Sequence, residues 1–542
     1  MKIRICFLLF SFLIANFIFA QEESSDTLLY SGQQKLSKKD YAGAISDFTR
    51  SIKADTINPR AFYKRGICLY ETKEYTKALK DFKKADYLKP NLENTRIYTG
   101  LCYYKMKDYQ KALAELDHVV TLNPENDIAW YDLGIVKYEM KEYDEALKDF
   151  FKTNELLETA EKNSYIGLCY FKKQKYKEAF PYFSAAIAID TSDADFFYNR
   201  GLCSYEVKDY NKAFFDFTRA AKLDNSLYEA HYNKGLCLFM KANYIEAIKE
   251  FDETIKLNAK YHNGYVFKGA CYFFQKKYAE AKKELNTGLA LQPKSDEAYF
   301  YLAWIEHDNA NYTASIPLFT KSIGYATKAE TFYGRGLSYY KSADYQKGIE
   351  DFKNAIARNK TLAEYFTYLG ACYYQIQNDE EALKNLNIAA GMDSTSSNTY
   401  YFRGLVKYQK GNDEEAIADF TRSLKLVPYH VTYYYRADSY KLLKKYTEAI
   451  ADLTAAIDID KNYEKAWQER GACKYYLLKH KEALADLNRA IELDPKDGKA
   501  FYYRGAVKLQ LRDNTACADF KKAVLLGYAK AKEEVANNKC GG

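Results

Sequence analysis

Between residues 25 and 530, apolar residues recur three and four apart in short blocks. Polar breaks such as Lys107-Asp108-Tyr109 and Lys276-Lys277-Tyr278 separate the blocks. That spacing puts the apolar residues on one face of a helix and predicts pairs of short amphipathic helices throughout. The pattern is also phased. A small residue returns at Gly32, Gly66, Gly100, Gly134, Gly167, Gly201, Gly235, Gly269, Ala303, Gly336, Gly370, Gly404, Ala437, Gly471 and Gly505, always 34 residues on except for three steps of 33. Alanine follows twelve residues later in most copies, Phe or Leu sixteen later, and a second small residue nineteen later. In Phe501-Tyr-Tyr-Arg-Gly-Ala-Val-Lys-Leu509 the glycine falls mid-helix, where it costs about 1 kcal/mol in propensity. Such a glycine is expected where a second backbone approaches closely, with the alanine twelve on as its counterpart. Prolines at 90, 124, 293, 428 and 495 stand just past the second helix, where a stop is needed.

A 34-residue helix-turn-helix unit with these offsets resembles the tetratricopeptide repeat family. The resemblance covers residues 25–530 in fifteen copies, followed by a polar segment at 528–538 that reads as a terminal capping helix, and a tail at 539–542. It implies an all-α fold: a right-handed superhelical α-solenoid of about fifteen repeats with a C-terminal capping helix. It also implies that first helices line a concave inner surface, at positions three before, one after and four after the small residue. The three-before column holds Tyr63, Tyr131, Tyr198, Tyr232, Phe300, Tyr333, Tyr401, Tyr434 and Tyr502, the candidate partner-binding residues. The four-after column is also largely aromatic, from Tyr70 and Tyr104 to Tyr475, with packing between repeats as its competing use. Heat-shock co-chaperones of this family hold a peptide C-terminus with lysines and asparagines on this face. Here those places are mostly tyrosine and leucine, so that activity is not carried over. An extended or helical peptide with apolar anchors fits better.

Residues 1–20 differ in kind. Lys2 and Arg4 precede an apolar run from Ile5 to Phe19 that ends at Ala20, the pattern of a secretory signal cleaved after Ala20. Ile18 is large for the third position before a cleavage site, which leaves an uncleaved anchor as the alternative. The mature chain is expected to carry no transmembrane span. It is expected to be exported: periplasmic, outer-membrane-associated or extracellular.

Composition sharpens this picture in three places. Half of the 54 tyrosines fall in the columns three before, four after and nine after the small residue. Eight of the eleven cysteines (Cys68, Cys102, Cys169, Cys203, Cys237, Cys271, Cys372, Cys473) stand two after it. Equivalent positions in adjacent repeats are a helix pair apart, too far for a disulfide, so packing is the expected role. No CxxC pair exists and the six histidines share no column, so no metal site and no cofactor are expected.

Charge gives a coupling. Where arginine precedes the small residue, aspartate precedes the Phe or Leu of the second helix. The pairs are Arg65 with Asp81, Arg200 with Asp216, Arg335 with Asp351, Arg403 with Asp419, Arg436 with Asp452, Arg470 with Asp486 and Arg504 with Asp519. Lys234 and Lys268 accompany Glu250 and Glu284, whereas Leu133 with Asp149 breaks the rule. Structural ion pairs within each repeat are favoured over ligand clamps. Basic and acidic residues interleave, 80 against 73, rather than cluster, which argues against nucleic acid.

The repeat array leaves no room for a catalytic domain, phosphate loop or nucleophile motif, so no catalytic residue is assigned. The expected function is a non-enzymatic scaffold of the cell envelope or exterior that binds protein or peptide partners. The alternative is a permanently docked subunit of an envelope secretion or outer-membrane assembly machine. Pro181 and Pro317, near the start of second helices in repeats that lack the charge pair, are expected to mark changes of curvature.

Overall fold

The computed structural model describes residues 24–537. The signal expected at 1–20 and the tail at 539–542 lie outside them. Among the described residues there are thirty-one helices and no strand, and their contacts fall into two units that divide between Cys271 and Tyr272. Each unit is a run of antiparallel helical hairpins. First helices have 13 residues, as in Pro59–Glu71, and second helices 14, as in Tyr75–Leu88. A shorter pair closes the second unit: Ala516–Leu525, then the seven-residue Ala531–Asn537, whose Ala531 is fully buried against Phe501 and Ala523. Pro181 and Pro317 lie inside the continuous helices Tyr176–Ile189 and Tyr312–Tyr325, and the boundary between units falls at neither.

The turn inside each hairpin is the same throughout. The residue seven after the small one has a left-handed backbone, from Lys39 (φ 60°) to Leu478 (φ 59°) and Arg512 (φ 58°). Only Gly411 meets this demand with glycine; the other copies place a side chain where one is disfavoured. Where the polar break supplies aspartate, its carboxylate caps the second helix: Asp40 Oδ1 accepts from the Gly43 amide at 3.0 Å.

The core is not one body but a series of joints, as expected of a quasi-one-dimensional array. The glycine makes room for the side chain sixteen on, and where that is leucine the backbone of the alanine twelve on approaches as well, Ala382 O lying 3.1 Å from a Cβ on Gly370. A Cβ on Gly66 would lie 2.6 Å from Phe82 Cε1, and Phe82 is fully buried. In the repeat built on Ala303 the space is provided by the next repeat instead, where a Cβ on Gly334 would meet Phe319 Cζ at 2.6 Å. The alanine seals the joint in another way. Ala78 and Phe82 of one repeat receive Cys102 of the next, and Ala213 with Phe217 receives Cys237. The eight cysteines of that column are all buried and unbridged. Burial pushes thiols such as those of Cys102 and Cys372 up to about 12, so they act as small apolar residues.

Candidate partner-binding surface

All seven arginines of the charge column close a bidentate fork on the aspartate of their own second helix. Arg335 Nε and Nη2 each lie 2.8 Å from an Asp351 oxygen, and Arg65, Arg200, Arg403, Arg436, Arg470 and Arg504 repeat the geometry on Asp81, Asp216, Asp419, Asp452, Asp486 and Asp519. The remaining nitrogen, Nη1, reaches the preceding repeat: Thr49 from Arg65 (3.1 Å), Thr320 from Arg335 (2.9 Å), Asn387 from Arg403 (3.0 Å). The guanidinium thus ties three helices together and has its donors engaged within the protein.

The exceptions follow from the geometry. One helical turn beyond the arginine, a lysine three after the small residue reaches the same carboxylate. Lys137 does so for Asp149 (2.6 Å) where Leu133 replaces arginine, and Lys35 for Asp47 (2.7 Å). Lys407 adds a second cation to Asp419 at 2.9 Å. Lys234 pairs with Glu250 at 2.8 Å, and Lys268 lies 2.8 Å from Asp252.

The nine candidate residues of the three-before column are all half-buried. Eight of them, Tyr63, Tyr131, Tyr198, Tyr232, Phe300, Tyr333, Tyr401 and Tyr502, pack against the phenylalanine of their own second helix, with ring centroids from 5.7 Å (Tyr198–Phe217) to 6.5 Å (Tyr401–Phe420). Tyr434, whose second helix carries Leu453 there, meets Tyr435 and Tyr463 instead. Tyr198 Oη accepts from Asn233 Nδ2 at 3.1 Å. Burial, and then the Glu364 carboxylate, hold the Tyr333 phenol far above its usual range.

A neighbouring column that the sequence reading passed over completes each joint. Two before the small residue, Tyr98, Tyr165, Tyr368 and Tyr435 stack flat on Phe82, Phe150, Phe352 and Phe420 of the preceding repeat, at interplanar angles of 23° to 25°. The four-after rings then cap them edge-on, as Tyr70 does Tyr98 (5.6 Å) and Tyr340 does Tyr368 (5.8 Å). Much of the tyrosine therefore serves as mortar between repeats. The fixed two-before offset of these rings was the signal available in the sequence.

Two hollows remain. In the first unit a space of about 770 Å³ is lined by Leu29, Ile57, Arg60, Tyr63 and Glu93 among others. In the second, a space of about 1100 Å³ crosses the helices Ala363–Gln375, Ser397–Gln409 and His430–Leu442, with Tyr340, Tyr374, Tyr401, Tyr429 and Tyr435 on its walls and Ser396, Ser397 and Asn398 among its polar groups. Of the candidate residues, Tyr63 lines the first of these hollows and Tyr401 the second. Within the described residues no group of three or more His, Cys, Asp or Glu is placed to hold a metal, and no helix is long and apolar enough to cross a membrane.

Hairpins stacked at a fixed period define a helical-repeat solenoid. Its repeats also match known families. Models described as "Tetratricopeptide repeat" match residues 32–93, 272–328 and 333–397, and in a second version 166–193, 397–430 and 431–463. A model described as "Anaphase-promoting complex, cyclosome, subunit 3" matches 82–153. Tetratricopeptide repeats are thus detected in both units.

Among solved structures, the chain is similar to one in the APC/C hetero-tetramer Cut9-Hcn1 (16% identity over 91% of this chain and 98% of that one, TM-score 0.43). It is also similar to YrrB, titled a TPR protein with an unusual peptide-binding site (24% identity, 33% and 94%, TM-score 0.32), and to the yeast Tom70 (15% identity, 84% and 96%, TM-score 0.33). No curated protein matches.

Proposed function

We propose that the chain is a non-enzymatic scaffold of the cell envelope or exterior, exported by the segment at 1–20, that receives an extended stretch of a protein partner on the first-helix face. The observation that carries this reading is the tyrosine-walled hollow of the second unit. Its volume of about 1100 Å³ exceeds that of an ordinary small-molecule pocket, and its walls combine flat apolar rings with hydroxyl and amide groups. Tyrosine buries large area with few torsions and keeps a hydroxyl for backbone groups of the partner. Two of these rings leave surface to the hollow: Tyr374 packs only in part against the core cluster of its neighbours, and Tyr429 is 48% exposed. The arginine–aspartate pairs beneath the face are engaged with one another, which suits a surface that recognises shape and hydrogen bonding.

A photo-crosslinking amino acid at position 374, compared with one at Phe215 (65% exposed), tests the reading in the native host. Discrete crosslinked species from 374 that are absent from 215 are expected. Equal or no crosslinking from 374 would reject the hollow as a partner site. Fractionation of the same cells tests export.

A further inference from the structure

Three cysteines stand outside the packing column: Cys6, Cys517 and Cys540. Cys6 falls in the segment expected to leave with the export signal. Cys517 lies in Ala516–Leu525, the short second helix of the last repeat, and among the described cysteines it alone is joined in a disulfide. The eight cysteines of the column are unbridged thiols buried in the joints between repeats, so none of them is its partner. By count, Cys540 remains.

The packing agrees with the count. Cys517 and Val535 of the terminal helix Ala531–Asn537 pack against one cluster, made by Ala506, Ala516 and Phe520. The terminal helix therefore runs past the helix that carries the sulfur. Cys540 follows Asn537 by three residues, a span of at most about 11 Å, which lets its Cα come within the roughly 7 Å that a disulfide requires. The terminal helix also lacks other means of holding on. It has seven residues, too few to persist alone, and buries only Ala531 fully. The helix beneath it has 10 residues where Tyr75–Leu88 and its counterparts have 14. Yet the end of a stacked array is where an open apolar face must be covered.

We infer that Cys517 and Cys540 form a disulfide that staples the terminal helix over the last repeat and closes the array. The bond forms by exchange with a protein disulfide of an oxidising compartment. One thiolate attacks that disulfide and enters a mixed disulfide, and the second thiolate displaces it. Both thiol protons pass to solvent, and the two electrons leave on the exchange protein as its dithiol. Such bonds persist outside the reducing cytosol. A closed C-terminal end is thus a property the chain acquires on export, while the buried cysteines of the column are kept out of the exchange.

To test the bond, the full chain is taken from its native host, its thiols are blocked with N-ethylmaleimide before any reductant is added, and it is digested with trypsin. Mass spectrometry should find the peptide 513–521 joined to 540–542, separating on reduction, from a protein that runs as a monomer without reductant. Blocked thiols at both positions would overturn the proposal, as would a bond from Cys517 to Cys6 or to a second copy of the chain. Hydrogen exchange tests the staple. A cross-link closing a loop of this length restricts opening by about a hundredfold. Amides of Ala531–Asn537 should therefore exchange about a hundredfold faster in Cys540→Ser, and equally fast in wild type treated with dithiothreitol. Dithiothreitol should leave Cys540→Ser unchanged. Exchange in wild type that reduction does not alter would overturn the stapling role. None of these outcomes depends on what crosslinks at position 374, so failure of the staple and failure of the scaffold are distinguishable.

Discussion

Replacing Arg335 by alanine isolates what the arginine column contributes. Asp351 is 3% exposed and takes both of its strong bonds from Arg335, with no second cation reaching it among the described residues. The variant therefore leaves a buried, unpaired carboxylate, and frees Thr320 Oγ1 from the Nη1 bond as well. Breaking a buried pair in this way costs about 3–5 kcal/mol. Arg403→Ala makes the same deletion beside a carboxylate that retains Lys407 at 2.9 Å. Its cost should be nearer that of one charge-assisted bond, about 1.5–3 kcal/mol.

Because each repeat contacts chiefly its neighbours, the loss is local and is best read by hydrogen exchange. Amides of helices Ala329–Lys341 and Tyr345–Arg358 should exchange two to three or more decades faster in Arg335→Ala, at about 1.4 kcal/mol per decade. Their counterparts in Arg403→Ala, Ser397–Gln409 and Asp413–Leu426, should accelerate less. Adding Asp351→Ala to Arg335→Ala should cost little more. Equal effects of the two arginine variants, or additive losses at 335 and 351, would refute the reasoning.

Other consequences follow from the same geometry. Gly66→Ala drives a methyl into the Phe82 ring (2.6 Å) and should cost about 1–3 kcal/mol in thermal or chemical denaturation. Leu478→Gly relieves a left-handed turn that carries a 75%-exposed leucine, and should raise stability by about 0.5–1 kcal/mol. Burial raises the Asp132 carboxyl to about 7 when folded against an ordinary 3.8, so the folded chain binds more protons between those values and stability falls as pH rises through that window. Asp132→Asn removes the slope: unfolding at pH 8 should show a gain of up to about 4 kcal/mol, and at pH 4 almost none.

The fold was legible because one phase is written fifteen times, and the small-residue column fixes where each helix pair crosses. The arginine–aspartate pairing was legible for the same reason, since both partners vary together from copy to copy. What the period could not show is which of two adjacent columns stacks on the phenylalanine of the preceding repeat. Positions three before and two before are only about 100° apart on a helix, and the stacked rings of Tyr98 and Tyr368 belong to the second. Nor does periodicity give depth. Asp132 stands out in its column, but its burial and the lack of a hydrogen-bond partner for its Oδ2 are not written there. The left-handed turns were hidden because lysine, glutamine and alanine occupy them where glycine would have announced them.

The claim that the tyrosine-walled hollow binds a protein partner is tested most directly by affinity. Once crosslinking has identified the partner, its dissociation constant is measured for wild type, for Tyr374→Ala with Tyr429→Ala, and for Phe215→Ala on the exposed surface of a second helix. The account predicts at least tenfold weaker binding for the tyrosine variant, as for loss of a central aromatic anchor, with unchanged helicity and unchanged binding by Phe215→Ala. Wild-type affinity in the tyrosine variant would contradict it and leave the tyrosines as packing alone.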